Sequence, residues 1–224
     1  GLHEKRAGVY LALEAYDEAV AEYDAILAVA RIEGYRARIE YQAGQALALA
    51  GDVDAAHARF RRAIDRYPDA EFAYLSLIQL VDAGVPVDEM RRGLIDYYAG
   101  ASYPDAYGAA ISAFDRYLAA EEAPRAAEAL YYKALTQRAM DEHEAAIDTL
   151  DVLIETYPGS DWLPKAWLEK GAALISMEEY EAAIKVYRDT AAFFPNSEQA
   201  PAALWRAARQ YESNSRWDEA ARLY

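Results

Sequence analysis

The chain has 224 residues and carries 23 Lys plus Arg against 38 Asp plus Glu, a formal charge of −15 that repels phosphate and so excludes a nucleic-acid binder and disfavours an anionic membrane surface. No apolar run reaches the ~18 residues that span a bilayer, Gly1 to Tyr10 is not a charged-then-apolar leader, and the absence of cysteine excludes thiolate chemistry, disulfides and Cys-ligated metals. An apolar fraction of 54% beside 27% charged residues is ample for a core.

Self-similarity at a period of about 20 to 50 residues decides architecture before any single element does. Here the period is 37. A first helix is expected from Gly1, and after it Tyr16, Ala19 and Tyr23 form a stripe that returns at Val53, Ala56 and Phe60. Tyr67-Pro68 ends that helix, since proline excludes the α conformation of its predecessor, and Asp69 is placed to cap the next one. Three further stripes predict helices over 70–83, 87–99 and 104–119, out of phase with units that otherwise come in pairs. Either one unit has lost a helix, or the stack bends near Gly84-Val85-Pro86 and Gly100 to Pro104, the reading we prefer.

From there the period resumes. Leu130, Trp167 and Leu204 keep the step of 37, as do His143, Tyr180 and Trp217, then Ala146, Ala183 and Ala220, then Leu150, Tyr187 and Tyr224. Tyr180, Ala183, Ile184 and Tyr187 fall at i, i+3, i+4 and i+7, one apolar face of a helix on which all four are expected to pack. Tyr157-Pro158 and Phe194-Pro195 repeat the break, with Ser160 and Ser197 as expected caps.

This pattern resembles the tetratricopeptide repeat family over most of the chain. The family's small residue of the first helix corresponds to Gly44, Ala134, Gly171 and Ala208, its large residue four earlier to Leu130, Trp167 and Leu204, and its closing proline to Pro68, Pro158 and Pro195. Two departures stand out: the period is 37 where the family's is about 34, and Glu40 occupies a position where a large apolar residue is usual. More locally, Ala73 to Leu118, with Val81 to Met90, Asp96-Tyr97-Tyr98 and Ala113 to Leu118, looks like the helical region that precedes the catalytic domain in bacterial soluble lytic transglycosylase-like proteins. That likeness implies an extracytoplasmic setting in a bacterial envelope and nothing about catalysis by these residues.

Chemistry is hard to find. No glutamate-serine pair stands in a Gly-rich, Met-Gln-containing segment, and acid pairs such as Glu121-Glu122 and Glu178-Glu179 read as solvated helix ends. His3, His57 and His143 are never at ligand spacing, no Gly-rich loop could cradle phosphate, and no serine sits in a nucleophile elbow. No enzyme activity, cofactor or metal is expected.

What remains is surface. In a stack of helix pairs the first helices line the concave side, which selects Arg38, Tyr41, Gln42 and Gln45 in one unit, Tyr131, Tyr132 and Arg138 in another, Lys165 and Leu168 in the next, and Trp205, Arg206 and Arg209 in the last. So many cations and aromatics locally reverse the sign of an acidic protein and suit a peptide with acidic and apolar side chains, or sugar rings stacked on the aromatics. The plainer alternative is that Tyr131 and Tyr132 pack on neighbouring helices while the arginines pair with Glu128 and Glu212. The family's peptide-carboxylate clamp of asparagine and lysine is missing, because Asn196 and Asn214 lie in turns.

The expectation is therefore an all-α, right-handed α-solenoid of about 12 to 13 helices, organised as N-terminal repeats over 1–70, an irregular region over 71–126 and C-terminal repeats over 127–224, the last incomplete. Its partner is expected to be a protein or peptide, with a possible tie to peptidoglycan. The unfinished ends suggest either a fragment of a longer protein or head-to-tail stacking of copies into a filament. A helical arm of a transglycosylase is the third reading.

Overall fold

A computed structural model describes residues 1–224. Thirteen helices run in chain order: α1 Leu2–Ala12, α2 Tyr16–Val29, α3 Glu33–Leu49, α4 Val53–Arg66, α5 Glu71–Asp82, α6 Glu89–Ala99, α7 Asp105–Leu118, α8 Ala126–Ala139, α9 His143–Thr156, α10 Leu163–Ser176, α11 Tyr180–Phe193, α12 Gln199–Ser213 and α13 Trp217–Ala221. None is long and apolar enough to cross a membrane. Two compact units divide inside α7, Gly1–Ala113 and Phe114–Tyr224. From α1 to α6 in the first unit and from α8 to α13 in the second, each helix packs on the next in the chain, and the regular hairpins among them are those that the 37-residue period predicts.

Every regular hairpin turns in the same way. Glu14, Gly51, Asp141, Glu178 and Ser215, one per turn and in the 37-residue register within each unit, all have φ between 58° and 84°. The residue that follows each of them donates a long-reach hydrogen bond back to the first helix: Ala15 to Tyr10, Asp52 to Leu47, Glu142 to Gln137, Glu179 to Leu174 and Arg216 to Tyr211, at 2.8–3.0 Å. This left-handed closure satisfies carbonyls that the helix end leaves open. Between hairpins, Tyr67, Tyr157 and Phe194 have φ of −139°, −123° and −124° ahead of their prolines, outside the helical region as expected.

Packing follows size matching between the two helices of a hairpin. The alanine column, Ala19, Ala56, Ala146, Ala183 and Ala220, is buried throughout. One turn later the large residue meets the small residue of the first helix: a Cβ on Gly44 would lie 2.5 Å from the Phe60 ring, and one on Gly171 would lie 2.4 Å from that of Tyr187. Where the first helix offers Ala134, the column holds the smaller Leu150.

Three expectations are corrected. Tyr180 and Trp217 do not share the packing of the rest of the stripe: they are the first residues of their helices, where the chain has just left the turn, and are 39% and 63% exposed, whereas His143 at the equivalent position keeps its side chain mostly covered. The expected caps do not act as such. Ser160 Oγ accepts from Trp162 N–H at 3.2 Å, Ser197 Oγ donates to the Phe194 carbonyl, and α5 starts behind Ala70 without a side-chain cap; Asp52 and Asp88 are the residues whose carboxylates receive amides, from Ala55 at 3.1 Å and Arg91 at 2.9 Å. Finally, Glu40 is no defect of its unit. It is buried and accepts from Arg59 of α4 at 3.2 Å, while Arg59 also pairs with Asp24 of α2 at 2.6 Å, so that one cation ties three helices together.

Candidate functional site

Among the first helices, α3 packs on α5, α8 on α10 and α10 on α12, and the second helices α4 and α6 also touch.

In unit 1, α1, α2, α3 and α5 bound a solvent-open cavity of about 450 Å³ whose lining includes Leu11, Tyr23, Gln42, Gln45, Leu49 and Gln79. Tyr41 lies beside it with its ring wedged 5.8 Å from Phe60 and 5.6 Å from Phe72, and its hydroxyl accepts from Gln45 Nε2 at 3.0 Å. Gln42 is half-buried, and its Oε1 is fully buried without a hydrogen-bond partner. Burial pushes the Tyr23 phenol up, and the Glu4 carboxylate adds to the shift. Arg38 is bound to Glu4 of α1 and lies 5.0 Å from the Tyr35 ring.

In unit 2, Tyr131 and Tyr132 of α8 gather round Trp162, at 4.9 and 5.8 Å between ring centroids, and the Lys165 ammonium lies 4.4 Å from that indole. Arg138 is bound to Glu169 of α10. Leu168 belongs to the buried core beside Ala183 and Tyr187. On α12, Trp205 is 56% exposed with the Arg209 guanidinium 5.8 Å from its ring, and Arg209 also reaches Glu212 at 3.4 Å. Arg206 lies 6.0 Å from the Tyr187 ring, whose phenol is raised by burial and lowered in part by that arginine.

The residues selected from sequence thus sit on first helices, but they do not form one cationic strip. Arg38, Arg138 and Arg209 are each answered by a carboxylate, Glu4, Glu169 and Glu212, so the expected reversal of sign is largely cancelled within the protein. Glu128 pairs with Arg125 and not with a groove arginine. Two participants were missed. Gln79 stands 37 residues after Gln42, so the repeat register alone could have found it. Trp162 lies in the connection before α10, off any helical stripe, and no periodic signal marks it.

A tetratricopeptide repeat model matches residues 40–70 and 128–160, each running from within a first helix past the closing proline. No curated protein sequence matches the chain. Among solved structures, that of PilW, a widely conserved type IV pilus biogenesis factor, covers 98% of this chain and 89% of its own at 14% identity, with a TM-score of 0.50. At that identity the likeness shows the fold alone. MamA aligns over 80% of this chain and 89% of its own at 20% identity and a TM-score of 0.47. A kinesin light chain from Podosopora anserina with nearly identical repeats aligns over 87% and 93% at 14% identity and a TM-score of 0.49.

Proposed function

We propose, from the premise that this chain is a tetratricopeptide repeat protein, that it works by binding: a scaffold module holding a peptide or protein segment against the face formed by its first helices. The observation that carries this reading is the combination, on that face, of an open cavity at α1, α3 and α5 and of an exposed Trp205 with Arg209 on α12. An exposed tryptophan beside an arginine is the composition that dominates binding energy at protein interfaces. A cavity of this size falls in the range that accepts a ligand group. Catalysis has no part in the proposal, since the chemistry such a site requires, a nucleophile with its base or a metal cluster, is not among the motifs of the sequence.

The setting we propose is the bacterial cell envelope, outside the cytoplasm. It is supported by the sequence likeness of Ala73 to Leu118 to the helical region of transglycosylase-like proteins.

The test is a selection of peptides from a displayed random library on the folded protein, followed by calorimetric titration of the winners. Binders are expected, and they should weaken about tenfold or more on Trp205→Ala with Arg209→Ala in unit 2, or on Gln42→Leu in unit 1, at unchanged helicity. A library that yields nothing, or binders indifferent to every one of these changes, overturns the reading.

A further inference from the structure

Unit 1 is polarised along its helices. At the edge where α1 turns into α2 and α3 into α4, residues 12–20 and 47–58 contain no lysine or arginine, and Glu14, Asp17, Glu18 and Asp54 are exposed with no cation bound to them. Leu49 lines the same cavity as Leu11, so the two turns lie side by side. At the opposite edge, where one hairpin passes to the next, Arg36 donates to the Leu27 and Ala30 carbonyls at 2.8 Å and to the Tyr67 hydroxyl at 2.6 Å. One side chain thereby gathers the tails of α2 and α4 at the start of α3. Arg31 and Arg66 are the chain neighbours of groups it holds, and Arg62 stands one turn before Arg66. All three are exposed and bound to no carboxylate. Asp65 is taken by Arg91 at 3.2 Å, which leaves Glu33 and Asp69 as the acids of that edge.

Acids at helix starts and a cation at a helix end are each stabilised by the helix dipole, so the charges alone require no partner. The apolar side chains beside them do. Of the eight large apolar side chains that unit 1 leaves exposed, five stand at these two edges: Leu13, Leu49 and Val53 among the acids, Val29 and Ile32 among the arginines. Val29 and Ile32 are 70% and 73% exposed. Apolar groups collected in this way, beside charges of one sign, mark interaction surfaces.

The two edges are complementary to each other, apolar on both sides and opposite in charge, so the partner that fits either one is present wherever the chain is. We propose that unit 1 associates edge to edge with unit 1 of a second copy. Arg31, Arg62 and Arg66 of one copy meet Asp17, Glu18 and Asp54 of the other, and Val29 and Ile32 lie against Leu13 and Val53. The contact is heterologous, so each copy keeps one edge free for the next. It is confined to the edges of hairpins, which makes it small, weak and reversible, and it does not depend on what the first-helix face binds. Each copy carries a net charge of −15 and repels the other at a distance. At ~0.15 M salt that repulsion is screened beyond about 8 Å, and the charges in contact decide the outcome.

Sedimentation velocity of the full chain at concentrations up to about 0.5 mM, enough to detect Kd values near ~1 mM, is expected to show a reversible rise in size with concentration. Raising the salt to ~1 M should weaken it. Arg62→Glu with Arg66→Glu, or Asp17→Lys with Asp54→Lys, should each reduce the association at least about tenfold, at unchanged helicity. All four changes in one chain exchange the signs of the two edges while keeping the net charge at −15, and should restore it. Ile32→Asp, at a position too exposed to serve the fold, should weaken it as the charge reversals do, whereas Trp205→Ala should leave it unchanged. A wild-type chain that stays monomeric throughout, association indifferent to both charge-reversed pairs, or a fourfold variant as weak as either pair overturns the inference. None of these results bears on the peptides selected by the first-helix face, so the two readings fail separately.

Discussion

The size match between a glycine of the first helix and an aromatic of the second makes a prediction against the ordinary rule for helices. Replacing a glycine inside a helix by alanine normally stabilises by about 0.5–1 kcal/mol, because alanine has less backbone freedom to lose. At Gly171 the new Cβ would lie 2.4, 2.7 and 2.8 Å from three ring atoms of Tyr187, which is only 2% exposed and cannot swing aside. Overpacking of this kind costs about 1–3 kcal/mol, so Gly171→Ala should destabilise by roughly 1–2 kcal/mol after the propensity gain is deducted. Gly108, in α7 with nothing within 4 Å of its would-be Cβ, is the control, and its alanine variant should gain about 0.5–1 kcal/mol. Urea unfolding followed by circular dichroism measures both. The structure also names its own rescue: the neighbouring hairpin pairs Ala134 with Leu150, so Gly171→Ala with Tyr187→Leu should lose less than the two single changes added together, a coupling that a double-mutant cycle reads directly. If Gly171→Ala proves as favourable as Gly108→Ala, or the cycle shows no coupling, the packing register between first and second helices is wrong.

Removal of Arg59 should be severe, because Glu40 would stay buried without its cation: Arg59→Met is expected to cost about 3–5 kcal/mol, and Arg59→Met with Glu40→Leu to recover most of it, both read from thermal or urea melts. The left-handed turn residues other than Gly51 hold a conformation that costs an L-residue about 1–2 kcal/mol, so Glu178→Gly should stabilise by up to ~1 kcal/mol, whereas Gly51→Ala should do the reverse. Asp88→Ala removes the carboxylate that receives the Arg91 amide and should cost ~1 kcal/mol, with faster amide exchange confined to the start of α6.

The hairpin order was legible in the sequence because it depends on columns, and a column tolerates exchange of residue type as long as size is kept. Ala19, Ala56, Ala146, Ala183 and Ala220 are all buried, and the three prolines that end second helices all do so. What the columns did not reveal was burial at helix starts. Periodicity assigns Tyr180 and Trp217 to the same face as Ala183 and Ala220, yet the first residue of a helix is still entering the packed layer and has solvent on one side. Glu40 was misread for a related reason. A pattern of apolar positions treats an acid as a gap, and it cannot register that Arg59, nineteen residues later, lies on the facing helix to neutralise it.

The site was less legible than the fold because its properties are set by pairs. Selecting first-helix positions correctly gathered Gln42 and Gln45 and, in the other unit, Trp205 and Arg209. But counting arginines along one face predicts its charge only if their partners lie elsewhere, and here Glu4 comes from the preceding hairpin, Glu169 from the following one and Glu212 from the same helix. Glu4 and Glu169 sit at spacings that helical periodicity does not link to their arginines, whereas Glu212, at i+3 from Arg209, is a partner the sequence does name. Exposed pairs of this type hold their partners weakly, at about 0–1 kcal/mol, so a partner carboxylate at Arg209 has only a small internal competitor to displace. Glu212→Gln removes that competitor. It should therefore strengthen any acidic peptide selected at Trp205 and leave binders that depend on Gln42 in unit 1 unchanged; equal effects on both would mean that the charge of the face acts as a whole and not through these individual pairs.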